Sequence, residues 1–105
     1  MKLEKHRYLI LKIYANITFS ERQFISRIWD SIYELFGCKG ASETGLWLVD
    51  FDINEKRGII RCNLESLNQV KVALILITEI LRNNPIMIRI LGISGTIKRA
   101  KEKFY

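Results

Sequence analysis

The chain has 105 residues, 49% of them hydrophobic, and a single proline, so it can bury a core as one domain spanning 1–105 and is too apolar to stay disordered. Its net charge of +6 is informative mainly for where it sits: charge concentrated at the two ends makes either a pair of solvated tails or a split patch that the fold unites. The run Val72–Ile77 is too short to cross a bilayer and no secretory signal is evident, so a cytoplasmic protein without membrane contact is expected.

In chain order, His6 to Ala15 reads as a strand with two apolar faces: Leu9, Leu11 and Ile13 alternate with Ile10, Lys12 and Tyr14. Ser20 with Gln23 forms a capping box that opens a helix. Phe24, Ile25, Ile28, Trp29, Ile32, Leu35 and Phe36 then recur at helical spacing, and Gly37 is placed to stop them. Gly40 to Thr44 reads as a loop. Leu46 to Ile53 is a second strand, with Trp47, Val49, Phe51 and Ile53 expected on one face and Leu46, Leu48, Asp50 and Asp52 on the other.

Residues Asn54 to Gly58 form a hairpin connection to a third strand, Ile59 to Leu64. Ser66 with Gln69 repeats the capping-box signal. Leu67, Val70, Ala73, Leu74, Ile77 and Leu81 mark the core face of a second helix, which Asn83-Asn84-Pro85 is expected to end. Val72, Ile75 and Leu76 lie outside that stripe. A fourth strand, Ile86 to Ile93, leads through Ser94-Gly95-Thr96 into a basic helix.

The order β-α-β-β-α-β plus a terminal helix predicts an α+β, ferredoxin-like sandwich, the topology shared with RNA-recognition-motif domains. Its antiparallel sheet has strand order 4-1-3-2 and both main helices on one face. Lys5 and Arg7, which start the first strand, then lie beside Ser94, Gly95 and Thr96 at the end of the fourth. Reading the third strand as parallel to the first brings Lys56 and Arg57 to the same edge. This matters because the charge sits at the ends. Residues 13–97 hold nine Lys or Arg against nine Asp or Glu, and each terminal segment carries +3. The fold would gather Lys5, Arg7, Lys56, Arg57, Lys98, Arg99, Lys101 and Lys103 into one basic patch for phosphate. The free amides of the Ser94–Thr96 turn and the dipole of the following helix would assist.

Enzymatic readings lack parts. The turn has neither the spacing nor the lysine of a phosphate-binding loop, and His6 is the only candidate base for Ser94. Asp50 and Asp52 share a face, but two carboxylates make a poor magnesium site, and salt bridges to Lys12, Arg61 or Arg89 are the expected use. Cys38 and Cys62 have no metal-ligand spacing and read as reduced thiols. The third strand, Arg57 to Leu64, lacks the aromatics on which RNA-recognition motifs stack bases. The open sheet face should carry Ile10, Tyr14, Leu46, Leu48, Ile59, Met87 and Leu91. Together with Val72, Ile75 and Leu76, that is more apolar surface than a monomer should expose. A protein partner or a homodimer would cover it.

Five stretches carry a resemblance: Arg7-Tyr8-Leu9-Ile10-Leu11-Lys12, Gly45-Leu46-Trp47-Leu48-Val49-Asp50-Phe51-Asp52, Gly58-Ile59-Ile60-Arg61, Ala73-Leu74-Ile75-Leu76-Ile77 and Gly92-Ile93-Ser94-Gly95-Thr96-Ile97-Lys98-Arg99-Ala100. In this order they resemble the archaeal ribonuclease P protein component 2 family. The resemblance implies a subunit of a ribonucleoprotein endoribonuclease that removes the 5′ leader from precursor tRNA. It implies that ribonuclease P RNA supplies catalysis with Mg²⁺, that no cofactor binds the protein, and that a barrel-shaped protein subunit is the partner. A homodimer of this chain within a heterotetramer is an assembly it admits. A ferredoxin-like regulator that senses a small ligand and a small phosphatase are the alternatives the residues leave open.

Overall fold

The computed structural model describes residues 5–81 and 83–104. Lys2 and Glu4, which contribute to the N-terminal charge, and Arg82, which contributes to the middle of the chain, lie outside the described residues. Five strands form one antiparallel array in the order β2-β3-β1-β5-β4, with β1 His6–Ala15, β2 Trp47–Asp52, β3 Arg57–Asn63, β4 Glu79–Ile80 and β5 Asn84–Ser94. Helices α1 (Glu21–Glu43) and α2 (Leu67–Ile75) pack on one face, and α3 (Ile97–Phe104) lies against β1 and β5. The first four predicted strands thus take the 4-1-3-2 order of a ferredoxin-like sandwich. The short β4 is an addition.

The main core lies between the sheet and α1 and α2. Leu9, Leu11 and Ile13 of β1 and Ile60 and Cys62 of β3 meet Phe24, Ile28 and Ile32 of α1 and Val70, Ala73 and Leu74 of α2. Phe19, Phe24 and Phe51 form an aromatic trio at one end, with ring centroids 5.3–6.0 Å apart. The Ser31 hydroxyl donates to the Ala73 carbonyl at 2.8 Å, tying α1 to α2 within the core.

Helix α1 opens as its capping box predicts: Gln23 N–H donates to Ser20 Oγ, and Ser20 N–H to Gln23 Oε1. Gly37 does break the helix, with φ 71° and ψ −177°, a backbone state almost confined to glycine. The chain resumes helical turns from Cys38 to Glu43, so the loop expected over 40–44 is helical up to its last residue. The second capping signal is not used for capping. The Ser66 hydroxyl donates instead to the Glu43 carbonyl at 3.1 Å, across the start of α2.

Helix α2 stops at Ile75, six residues before the predicted Leu81. The segment that follows is rich in β-branched residues (Ile77, Thr78, Ile80), which favour extended backbone. Ile80 is buried through a hairpin, β4 to β5, whose turn places Leu81 and Asn83 at positive φ. The helical period and a buried strand coincide over this short run, and tertiary burial selects the strand.

Two register shifts reassign faces. In β2, Leu48 pairs with Ile60 and Asp50 with Ile59, leaving Val49 as an extra residue. Leu46, Leu48, Phe51 and Ile53 therefore all turn towards the helices, while Trp47 is 63% exposed. In β5, Ile90 and Gly92 pair with adjacent β1 residues, leaving Leu91 as the extra one. The strict alternation expected from sequence fails at both points because one inserted residue inverts everything beyond it.

Candidate nucleic-acid interface

Tyr8 lies opposite Ser94 in the β1–β5 pair, so the start of β1 meets the end of β5 as the topology requires. The Arg7 guanidinium reaches the turn itself: a Cβ added at Gly95 would sit 3.9 Å from Arg7 Nη1. Arg7 is held there by a 2.8 Å donation to the His6 carbonyl. Lys5, Gly95, Thr96, Lys98, Arg99, Lys101 and Lys103 are exposed.

The turn is internally braced. The Ser94 hydroxyl donates to the Thr96 carbonyl at 3.0 Å and accepts the Thr96 N–H at 3.3 Å. Thr96 Oγ1 then caps α3 by accepting the Arg99 N–H at 3.2 Å. A hydroxyl has one proton to give, so Ser94 shapes the turn rather than offering that proton to an outside phosphate. Thr96, accepting with its oxygen, keeps its own proton to donate.

Helix α3 lies on the sheet. Its Ala100 is fully buried on Ile10 and Ile59, with Tyr8, Val49 and Leu91 packed around them. Lys101 Nζ stands 3.7 Å from Asp50 Oδ2. For Asp50 the expected partners thus give way to one from a helix remote in sequence. Asp50 Oδ1 also accepts the Phe51 N–H, and Asp52 Oδ1 accepts the hairpin amides of Asn54 and Glu55. Among the described residues no group of three or more His, Cys, Asp or Glu side chains is placed to hold a metal ion.

One expectation of placement is wrong. Strand β3 runs antiparallel to β1, with His6 opposite Asn63 and Lys12 opposite Arg57. Lys56 and Arg57 therefore lie at the far end of β1 from Arg7, away from the patch built by Lys5, Arg7 and α3. Hairpin connectivity requires this, because β2 is parallel to β1 in a split βαβ unit and β3 must reverse. The basic residues form two groups.

The apolar surface also divides. Ile10 and Ile59 are fully buried under α3, Leu46 and Leu48 belong to the main core, and Leu91 is partly covered. Ile10, Ile59 and Leu46 are therefore not available to a partner, and Leu48 and Leu91 are only partly available. Tyr14 and Met87 stay exposed at the uncovered end of the sheet, and Val72 and Ile75 of α2 and its C-cap residue Leu76 stay exposed. Sequence reasoning missed Lys12 and Arg89, which share a row with Arg57 across three strands. Only the register reveals that row. Cys62 is buried, and its burial raises the thiol pKa from 9.0 to about 11; Cys38 is exposed.

A βαββαβ sheet with a basic helix laid on its open face defines an α+β, ferredoxin-like protein with an edge suited to polyanions. The chain belongs to the Rpp14/Pop5 family, whose model matches residues 7–105. It is 39% identical to ribonuclease P protein component 2 of Pyrococcus horikoshii over 101 residues, which is 96% of this chain and 83% of that protein. It is 41% identical to the protein of the same name from Methanococcus aeolicus, covering 96% of this chain and 73% of the relative. In fold it matches a chain in the cryo-EM structure of yeast ribonuclease MRP, with a TM-score of 0.73 at 14% identity, covering 91% of this chain and 78% of that one.

Proposed function

We infer that this chain is a protein subunit of ribonuclease P, acting in removal of the 5′ leader from precursor tRNA. Membership of the Rpp14/Pop5 family supports the assignment. The observation that carries the mechanism is the union of Arg7, the Ser94–Thr96 turn and α3 at one edge. Lys5, Arg7, Lys98, Arg99 and Lys103 neutralise phosphates of the ribonuclease P RNA there, and counterions released from the RNA drive association. Gly95 and Thr96 add backbone and hydroxyl donors, while Lys101 divides its charge between RNA and Asp50. The protein stabilises the folded RNA. The RNA holds the Mg²⁺ and performs the hydrolysis, and precursor tRNA is met through the holoenzyme.

The exposed residues Val72, Ile75 and Leu76 at the end of α2 are the docking surface for the barrel-shaped protein subunit, in an assembly that can contain two copies of each chain. The complex works in the cytoplasm. No helix among the described residues is long and apolar enough to cross a membrane. Reconstitution tests the assignment: adding this chain and its partner to the cognate RNA lowers the Mg²⁺ concentration needed for 5′ leader removal. An unchanged Mg²⁺ requirement overturns it.

A further inference from the structure

The antiparallel register creates a second basic group that the α3 edge does not use. On the sheet face that carries α3, Arg57, Lys12 and Arg89 stand side by side across β3, β1 and β5, with Asp52 closing the row on β2. Like charges in adjacent cross-strand positions cost stability; Asp52 offsets the Arg57 end of the row, so Lys12 and Arg89 are the cations that an added anion would relieve. The next row holds Tyr14 opposite Met87, 43% and 56% exposed. Helix α3 is seated on Ile10 and Ile59, and Arg89, Tyr14 and Met87 are exposed while Lys12 and Arg57 are half-buried.

At this end of the sheet lies an open cleft of about 540 Å³, lined among others by Lys12, Tyr14, Asn16, Lys56 and Met87. The lysines are positioned there. Lys12 Nζ donates to the Glu55 carbonyl at 2.6 Å, and Lys56 Nζ donates to the Ala15 carbonyl. An ammonium has three protons, so each keeps donors for a ligand.

We propose that this end of the sheet binds a short single-stranded RNA segment, with a base stacked on Tyr14 against Met87 and its phosphates along Lys12, Arg57 and Arg89. An exposed aromatic ring flanked by cations is the arrangement that grips unpaired nucleotides, because every base has a face to stack while phosphates follow the charge. Duplex RNA keeps its bases stacked on each other and cannot use the ring. An apolar protein partner would have to strip water from Lys12, Lys56 and Arg89 to reach Tyr14, at a cost the two apolar side chains do not offset. Arg7 and Lys12 are five residues apart on one strand, about 17 Å. The two basic surfaces are thus separate sites, and one chain can hold two segments of RNA. The inference rests on the RNA-docking reading and adds a ligand class to it.

The test is fluorescence anisotropy on the full chain with two labelled probes: a single strand of about ten nucleotides and a blunt RNA hairpin closed by a short loop whose bases stack on one another. Tyr14→Ala should weaken the single strand about fivefold or more, and Tyr14→Phe should return it to within about twofold, because stacking needs the ring and not the hydroxyl. Arg89→Ala should lower the salt slope for the single strand by about one. The Lys98→Ala, Arg99→Ala double variant should weaken the hairpin and spare the single strand. Single-strand binding indifferent to Tyr14→Ala, or not restored by phenylalanine, overturns the proposal. Protection of Tyr14 from nitration by the protein partner but not by single-stranded RNA does the same. A wild-type chain that binds the hairpin but not the single strand defeats this site and leaves the docking edge standing; one that binds neither defeats both.

Discussion

Lys101 of α3 and Asp50 of β2 face each other at 3.7 Å, joining the last helix of the chain to an edge strand of the sheet. Both side chains are substantially solvated, and such pairs contribute about 0.2–1 kcal/mol. The helix is held mainly by the buried Ala100 between Ile10 and Ile59. Asp50→Asn should therefore change the melting temperature only slightly. Ala100→Glu should undock the helix, expose two isoleucines and cost about 2 kcal/mol or more. Hydrogen exchange within α3 and binding of a hydrophobic dye distinguish the two variants.

The same pair ranks the cations towards RNA. Lys98→Ala and Arg99→Ala should each reduce the slope of log affinity against log salt by about one for each phosphate left without its cation. Lys101→Ala should reduce it less, since part of its charge already faces Asp50. Binding isotherms at four or five salt concentrations measure this, and an unchanged slope in the Lys98 and Arg99 variants rules out the α3 edge as the phosphate-binding surface.

Ile75, the last residue of α2, is 65% exposed, and Val72 one turn before it and the C-cap residue Leu76 after it are exposed as well. The isolated chain is expected to self-associate through this surface, and co-expression with the partner subunit should suppress the association. Ile75→Asp should yield a more soluble chain that binds the partner at least tenfold more weakly, with little loss of stability because the side chain is already in water. Sedimentation with and without the partner reads both effects.

Burial of Cys62 lifts its thiol pKa from 9.0 to about 11, while Cys38 is exposed. In the native protein a thiol reagent should modify Cys38 and reach Cys62 only after unfolding. The sign of the pH effect follows from the proton. Above pH 9 the unfolded chain releases the Cys62 proton while the folded chain keeps it, so stability present below pH 9 is lost as the pH rises to about 11. The loss from this group is about 2–3 kcal/mol, and Cys62→Ala should remove it from a denaturation series.

The elements that sequence predicted well are those whose local signals agree. Ser20 and Gln23 close the capping box that their spacing announces, and Gly37 interrupts the helix at a positive φ that strains any side chain. Leu9, Leu11 and Ile13 alternate onto the core face of β1. Where a segment satisfies two periods, as Ile75 to Leu81 does, local chemistry is silent. Burial of Ile77 and Ile80 decides for a turn and a short strand.

The candidate sites divide the same way. The amino-acid order alone determined that the chain is a βαββαβ domain with a Ser-Gly-Thr turn leading into a basic helix, because capping, alternation and turn chemistry act over a few residues. Tertiary structure decided which charges stand together. Antiparallel pairing sent Lys56 and Arg57 away from Arg7, and a single extra residue at Val49 turned Leu46 and Leu48 into the core. Docking of Ala100 converted Ile10 and Ile59 from a partner surface into a second small core. Each of these depends on strand direction, register or helix placement. Those are set by packing between residues far apart in the chain, which no short window of sequence contains.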